Sequence, residues 1–131
     1  MIGLDTNVLV RFFMQDDPSQ CAQVDAIMNS FSESEPGWVS LAAVLELVWV
    51  LTSTYRVSRA EVLTVLEHLL ARKEIVVEHT EIIHRAIEIF RNPRVSFADC
   101  IISASAVAVG CTLTLTFDQD AAKLAGMTLI S

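Results

Sequence analysis

Basic side chains are scarce in this chain. Nine Lys and Arg face 16 Asp and Glu, a formal net charge of −7 over 131 residues. Taken alone, that balance argues against nucleic-acid binding. Cysteine is limited to Cys21, Cys100 and Cys111, an odd number in uneven, apolar surroundings. These read as small buried hydrophobes, their spacing fits no zinc site, and a reducing cytosol is the expected compartment. There is no repeat, low-complexity run or Gly/Ser linker, so residues 1–131 are expected to form a single domain. The N-terminus lacks a basic n-region and Asp5 interrupts it at once, so no secretory leader is expected. No Ser, Cys or His nucleophile constellation is visible. His68, His79 and His84 fall on predicted helices or at their ends and are expected to be solvated or capping.

Hydrophobic residues, by contrast, are plentiful, at 53% of the chain, and mean hydropathy is +0.49. Those values exclude disorder and allow a sizeable core. The uncharged stretch Cys100–Phe117 is about long enough to span a bilayer. Its Ser, Thr and Ala content and the split at Gly110 argue for a helix followed by a strand instead. So apolar a small chain has more hydrophobic surface than a monomer easily hides, which predicts a homodimer. The apolar Leu41–Thr54 segment and the Ile82–Phe90 stripe are candidate interface elements.

Local signals predict alternating strands and helices. Met1–Leu4 reads as a short strand, followed by the cap-rich Asp5-Thr6-Asn7 and a helix over Val8–Met14. Asp17-Pro18-Ser19-Gln20 starts a second helix. Trp38-Val39 is a candidate strand and Leu41–Thr54 a helix. Ser58-Arg59-Ala60-Glu61 fits a capping box for a helix through about Arg72. Ile75–Val77 reads as a buried strand, and Thr80–Arg91 and Ser96–Val109 as helices. Thr112–Phe117 alternates like a strand, Ala121–Ala125 is a helical turn closed by Gly126, and Thr128–Ile130 is a last strand. Short apolar strands between helices imply an α/β fold around a mostly parallel sheet. Ligands in such sheets bind at the carboxyl ends of the strands. Asp5 and Asp118 each follow such an end, so both are expected on the same rim.

Four carboxylates interrupt or end apolar segments: Asp5, Glu46, Asp99 and Asp118. Carboxylates rarely go inside without a compensating charge, and a divalent cation is the obvious shared one. Each also has a plainer explanation. Asp5 could cap the first helix, although Thr6 or Asn7 could do so equally well. On a helix Glu46 has only Ala42, Ala43, Trp49 and Val50 one turn away; it either snorkels to the surface or aims at a site. Asp99 stands three residues after Ser96, as in a capping box. Asp118 or Asp120 could cap the Ala121 turn; Asp118, closer to the strand end, is preferred as a ligand. Thr116 is a candidate to support a ligand carboxylate by hydrogen bonding.

Clustered carboxylates repel unless a cation lies among them. Mg²⁺ and Mn²⁺ prefer oxygen ligands and keep bound waters. A water so bound is more acidic and can attack phosphorus, and the ion offsets charge on the phosphate and the leaving oxygen. An uncoordinated carboxylate can orient or deprotonate that water. Arg11, Arg94 and Lys123 lie near the motifs as candidate phosphate contacts. Metal would also neutralise several of the acids, leaving a milder balance for an RNA partner.

The residues resemble a known family. Gly3-Leu4-Asp5-Thr6-Asn7-Val8-Leu9-Val10-Arg11, Glu46 within Val44–Leu51, Phe97-Ala98-Asp99-Cys100-Ile101-Ile102 and Thr116-Phe117-Asp118-Gln119-Asp120 are similar to the motifs of PIN domains. More narrowly they resemble VapC-type toxins of bacterial toxin–antitoxin pairs, over almost the whole chain and in the same order. The resemblance implies a three-layer α/β/α fold and Mg²⁺- or Mn²⁺-dependent endoribonuclease activity on structured RNA, of the tRNA or rRNA class. Asp5 and Asp99 would be the principal metal ligands, with Glu46 and Asp118 completing the site and Thr6, Asn7, Thr116 and Asp120 supporting it. It also implies a homodimer neutralised by a VapB-like antitoxin whose tail inserts a basic side chain into the acidic pocket. Two rival readings share these residues. A phosphoacceptor receiver domain also binds Mg²⁺ at strand ends but expects adjacent acids after the first strand, which Asp5-Thr6-Asn7 lacks. A catalytically silent PIN-fold module would keep the fold only to pack its antitoxin.

Overall fold

Short segments of two or three mostly apolar residues form the sheet of the first part of the chain. In the computed structural model, which describes residues 1–131, strands β1 (Ile2–Gly3), β2 (Gly37–Val39) and β3 (Ile75–Val77) pair in parallel in that order. Parallel neighbours require crossover connections, and helices supply them. α1 (Thr6–Met14) and α2 (Pro18–Ser30) link β1 to β2, and α3 (Leu41–Ser53) and α4 (Arg59–Ala71) link β2 to β3. Two helix starts are set by the side chains expected from the sequence, Asp17 and Ser58, and a third by Ser40, which the sequence reading does not single out. Asp17 accepts the Gln20 N–H with Pro18 in the first turn, Ser40 accepts the Ala43 N–H, and Ser58 accepts the Glu61 N–H. The core takes Leu9, Met28, Val39, Val44, Leu47, Leu51, Val62, Leu66 and Leu69. These elements form one compact unit, Met1–Glu78, and His79–Ser131 forms a second.

The second unit contains α5 (Thr80–Phe90), α6 (Phe97–Ala108), β4 (Leu115–Thr116), α7 (Gln119–Leu124) and β5 (Thr128–Leu129). The expected stripe on α5, Ile82, Ile83, Ala86, Ile87 and Phe90, is buried, and α5 packs on α6. Phe90 meets Phe97 edge to face at 5.2 Å. The buried Ser103 hydroxyl on α6 donates to the Ala125 carbonyl just after α7, so that polar group is not stranded inside. β4 and β5 pair in parallel, Leu115 with Thr128 and Thr116 with Leu129. The alternating run Thr112–Phe117 was expected to be strand throughout. Only Leu115–Thr116 is, because its partner strand is two residues long. No helix is long and apolar enough to cross a membrane; Gly110, with φ +87°, ends α6 inside the uncharged stretch.

The α/β class and the parallel strands are as the sequence predicts. The interface expectation is corrected in part. The α5 stripe Ile82, Ile83, Ala86, Ile87 and Phe90 is consumed internally. On α3, Ala43, Val44, Leu47, Val48 and Leu51 are buried while Trp49 is exposed, so only the α5 part of the expectation is overturned.

Gly37 has a steric role at the start of β2. A Cβ there would stand 2.8 Å from a ring carbon of Phe31 and 3.0 Å from Cδ1 of Ile75. Overpacking of this kind costs about 1–3 kcal/mol. Gly37→Ala is therefore expected to lower stability by that amount in urea denaturation. An unchanged midpoint would show that Phe31 moves aside freely.

Candidate active site

Asp5 and Asp118 share one local design. Each follows a parallel strand by two residues and occupies the N-cap of the next helix with extended backbone. The Asp5 Oδ1 accepts the Thr6 N–H at 2.8 Å, and the Asp118 Oδ1 accepts the Ala121 N–H at 2.8 Å. Sequence reasoning left the first cap open between Asp5, Thr6 and Asn7. The helix begins at Thr6, so Asp5 is the residue placed to receive the first unpaired amide. Thr6 is buried and Asn7 exposed. In both aspartates Oδ2 lies outside the capping bond. Thr116 holds this arrangement differently from the expectation. Its hydroxyl accepts the Asp118 backbone N–H at 3.0 Å and does not bind the carboxylate.

Glu46 lies on the open face of α3 with Ala42, Trp49 and Ser53, while Leu47 and Val48 beside it turn inward. The start of α3 is doubly held. Ser40 accepts the Ala43 N–H at 3.0 Å, and the Glu78 Oε1 accepts the Leu41 N–H at 2.9 Å. Glu78 is not among the acids the sequence singles out, although an acid directly after the β-branched triplet of β3 repeats the signal at Asp5. Asp99 stands half-buried in the first turn of α6, where its N–H is capped by the Ser96 hydroxyl at 3.1 Å. Its carboxylate is therefore not the cap.

Asp5, Glu46 and Asp118 are exposed and Asp99 half-buried. The expectation that burial forces these acids to share a cation is thus corrected: helix starts and an open helix face bring them to solvent. Asp5 and Glu46 belong to the first unit, Asp99 and Asp118 to the second. Within neither unit do three His, Cys, Asp or Glu side chains gather as a metal-holding group.

The candidate phosphate contacts are mostly occupied. Arg94 Nη2 pairs with Asp120 Oδ1 at 2.8 Å, so these two offset one another. Arg11 donates from Nε to Gln20 at 2.6 Å, and from Nη1 to Tyr55 at 2.9 Å and Asp16 at 3.2 Å. Lys123 is in the last turn of α7, where a cation meets the negative helix end.

Asp16 also accepts a hydrogen bond from the Tyr55 hydroxyl at 2.8 Å. That bond is the main reason its carboxyl is held below the ordinary value of 3.8, with Arg11 adding a smaller pull. A carboxyl lowered by folding stabilises the fold above its ordinary value, and the benefit is lost as pH falls through the folded value. The stability difference between wild type and Asp16→Asn should therefore be constant above about pH 5 and shrink below about pH 4. Thermal melts between those limits and neutrality check this. A difference independent of pH would remove Asp16 from the acid response.

A sequence profile of the PIN domain matches residues 2–127. The chain belongs to the PIN domain family. The matched span of this PIN domain contains Asp5, Glu46, Asp99 and Asp118 and runs through both units. The PIN domain is also 29% identical over 125 residues to a protein named VapC ribonuclease from Aquifex aeolicus (strain VF5), covering 92% of this chain and 90% of that one.

Proposed function

We propose that this PIN domain is a VapC-like endoribonuclease toxin. It cleaves structured RNA of the tRNA or rRNA class with Mg²⁺ or Mn²⁺, acts as one domain and as a homodimer in the cytoplasm, and is neutralised by a VapB-like antitoxin. The observation that carries the reading is the set of four motif acids inside a PIN match that extends over nearly the whole chain. The VapC ribonuclease relative supports the same direction.

The donors suit a hard cation. All four are carboxylates, and the capping pair keep an oxygen outside their caps. Hard divalent ions favour such oxygen ligands, whereas zinc draws on His and Cys. Asp5 and Asp99 would hold the ion, and Glu46 and Asp118 would complete the site. When bound, the ion makes a coordinated water more acidic and offsets charge at phosphorus. The chain's own part is to present these oxygens, and a carboxylate left uncoordinated orients or deprotonates the attacking water.

Purified protein incubated with tRNA and rRNA tests this. Cleavage is expected with Mg²⁺ or Mn²⁺, is lost in EDTA, and returns with excess Mn²⁺. Cutting that persists in EDTA would sink the metal-dependent reading. Sequencing RNA ends after induced expression of wild type beside Asp5→Asn identifies the substrate. A silent binding module would yield the same ends from both.

A further inference from the structure

α1 and α3 follow adjacent parallel strands and pack against each other. Each carries one of the acids of the first unit: Asp5 at the start of α1 and Glu46 on the open face of α3. Their far ends are joined by a polar network. Arg11 is in the last turn of α1, and Tyr55 lies just beyond α3. The Tyr55 hydroxyl accepts from Arg11 Nη1 at 2.9 Å and donates to Asp16 Oδ2 at 2.8 Å. Arg11 also reaches Asp16 at 3.2 Å and Gln20 at 2.6 Å. The Cys21 thiol donates to the Arg11 carbonyl at 3.4 Å, so α2 grips the same turn.

This arrangement joins elements far apart in sequence through charge-assisted bonds, which are stronger and more directional than neutral ones. The rigid guanidinium fork suits such a junction. A helix transmits displacement along its axis, and Arg11 stands about 9 Å of helix from Asp5. A slip of α1 against α3 would therefore carry Asp5 away from its spacing to Glu46. Misplacements of about 1 Å at reacting groups are enough to cost a hundredfold in rate.

We propose that Tyr55, with Arg11 and Asp16, is a positioning clamp that fixes α1 against α3 and so sets the spacing of Asp5 from Glu46. The clamp rests on the metal-nuclease reading of those acids. Tyr55→Phe removes one hydroxyl and leaves the ring. Its effect should be milder than the roughly 10–100-fold loss of metal affinity seen when groups touching the ligands are removed. An increase of about threefold to tenfold in half-saturating Mn²⁺ is expected, with Asp16→Asn behaving alike.

The test uses the full chain and two readouts. One is RNA cleavage against Mn²⁺ concentration. The other is Mn²⁺ quenching of Trp49, which is 65% exposed and one helical turn from Glu46. Ser58→Ala, which removes the α4 cap, is the control for lost stability and should leave half-saturation unchanged. A Tyr55→Phe value within about twofold of wild type, or an equal shift in Ser58→Ala, overturns the clamp. If wild type binds Mn²⁺ but does not cut RNA, the nuclease reading fails and the clamp is still judged from quenching. A wild type that neither binds nor cuts overturns both.

Discussion

Asp5→Asn is expected to lower RNA cleavage by about a thousandfold, on the several kcal/mol that a catalytic metal contributes to charge stabilisation. It should leave folding almost untouched. Asn caps a helix about as well as Asp, and the Thr6 N–H that Asp5 receives needs only a carbonyl oxygen. The variant therefore separates two roles that coincide in one side chain. If Asp5 were a cap and nothing more, the Asn form would cut at the wild-type rate. Asp99→Asn should lose activity equally, and there the cap belongs to Ser96, so helix stability is not at stake. Rates with Mn²⁺, measured beside thermal melts, decide the matter.

A second expected result contrasts two neighbours on α3. Leu47 is fully buried and Glu46 is exposed. Leu47→Ala should cost about 2–5 kcal/mol through lost burial and the cavity left behind. Glu46→Gln should change stability by no more than about 0.5 kcal/mol and yet remove most of the cleavage. Trp38 and Trp49, the chain's two tryptophans, both lie in the first unit, so urea unfolding followed by their fluorescence reports that unit. Equal stability of the two variants would contradict the packing of α3. Full activity in Glu46→Gln would take Glu46 out of the proposed centre.

Local chemistry explains why so much of the fold could be read in advance. Asp17-Pro18, Ser58 with Glu61 and Ser96 with Asp99 are self-contained start signals, and each opens a helix where expected. The triplet Ile75–Val77 needs only its own side chains to favour a strand. What depends on distant partners was less legible. Thr112–Phe117 alternates throughout, but the short β5 decides how much of it pairs. Arg11 and Arg94 read as candidate phosphate contacts near the motifs, because nothing in their surroundings announces Tyr55 or Asp120. Tyr55 carries no sequence signal, since a single Tyr in a loop has no pattern. For the proposed site, the four acids come from the motifs alone. Their exposure was not legible, because apolar neighbours in sequence say little about which way one side chain turns.

The capping bonds of Asp5 and Asp118 bear on how a cation would be received. A surface carboxylate ordinarily rotates, and an incoming ion must first arrest it at an entropic cost. Here a backbone amide has already stilled the torsion, leaving the second oxygen with a settled direction. The ordering was completed when the helices formed, so an ion bound there would meet a geometry already half decided.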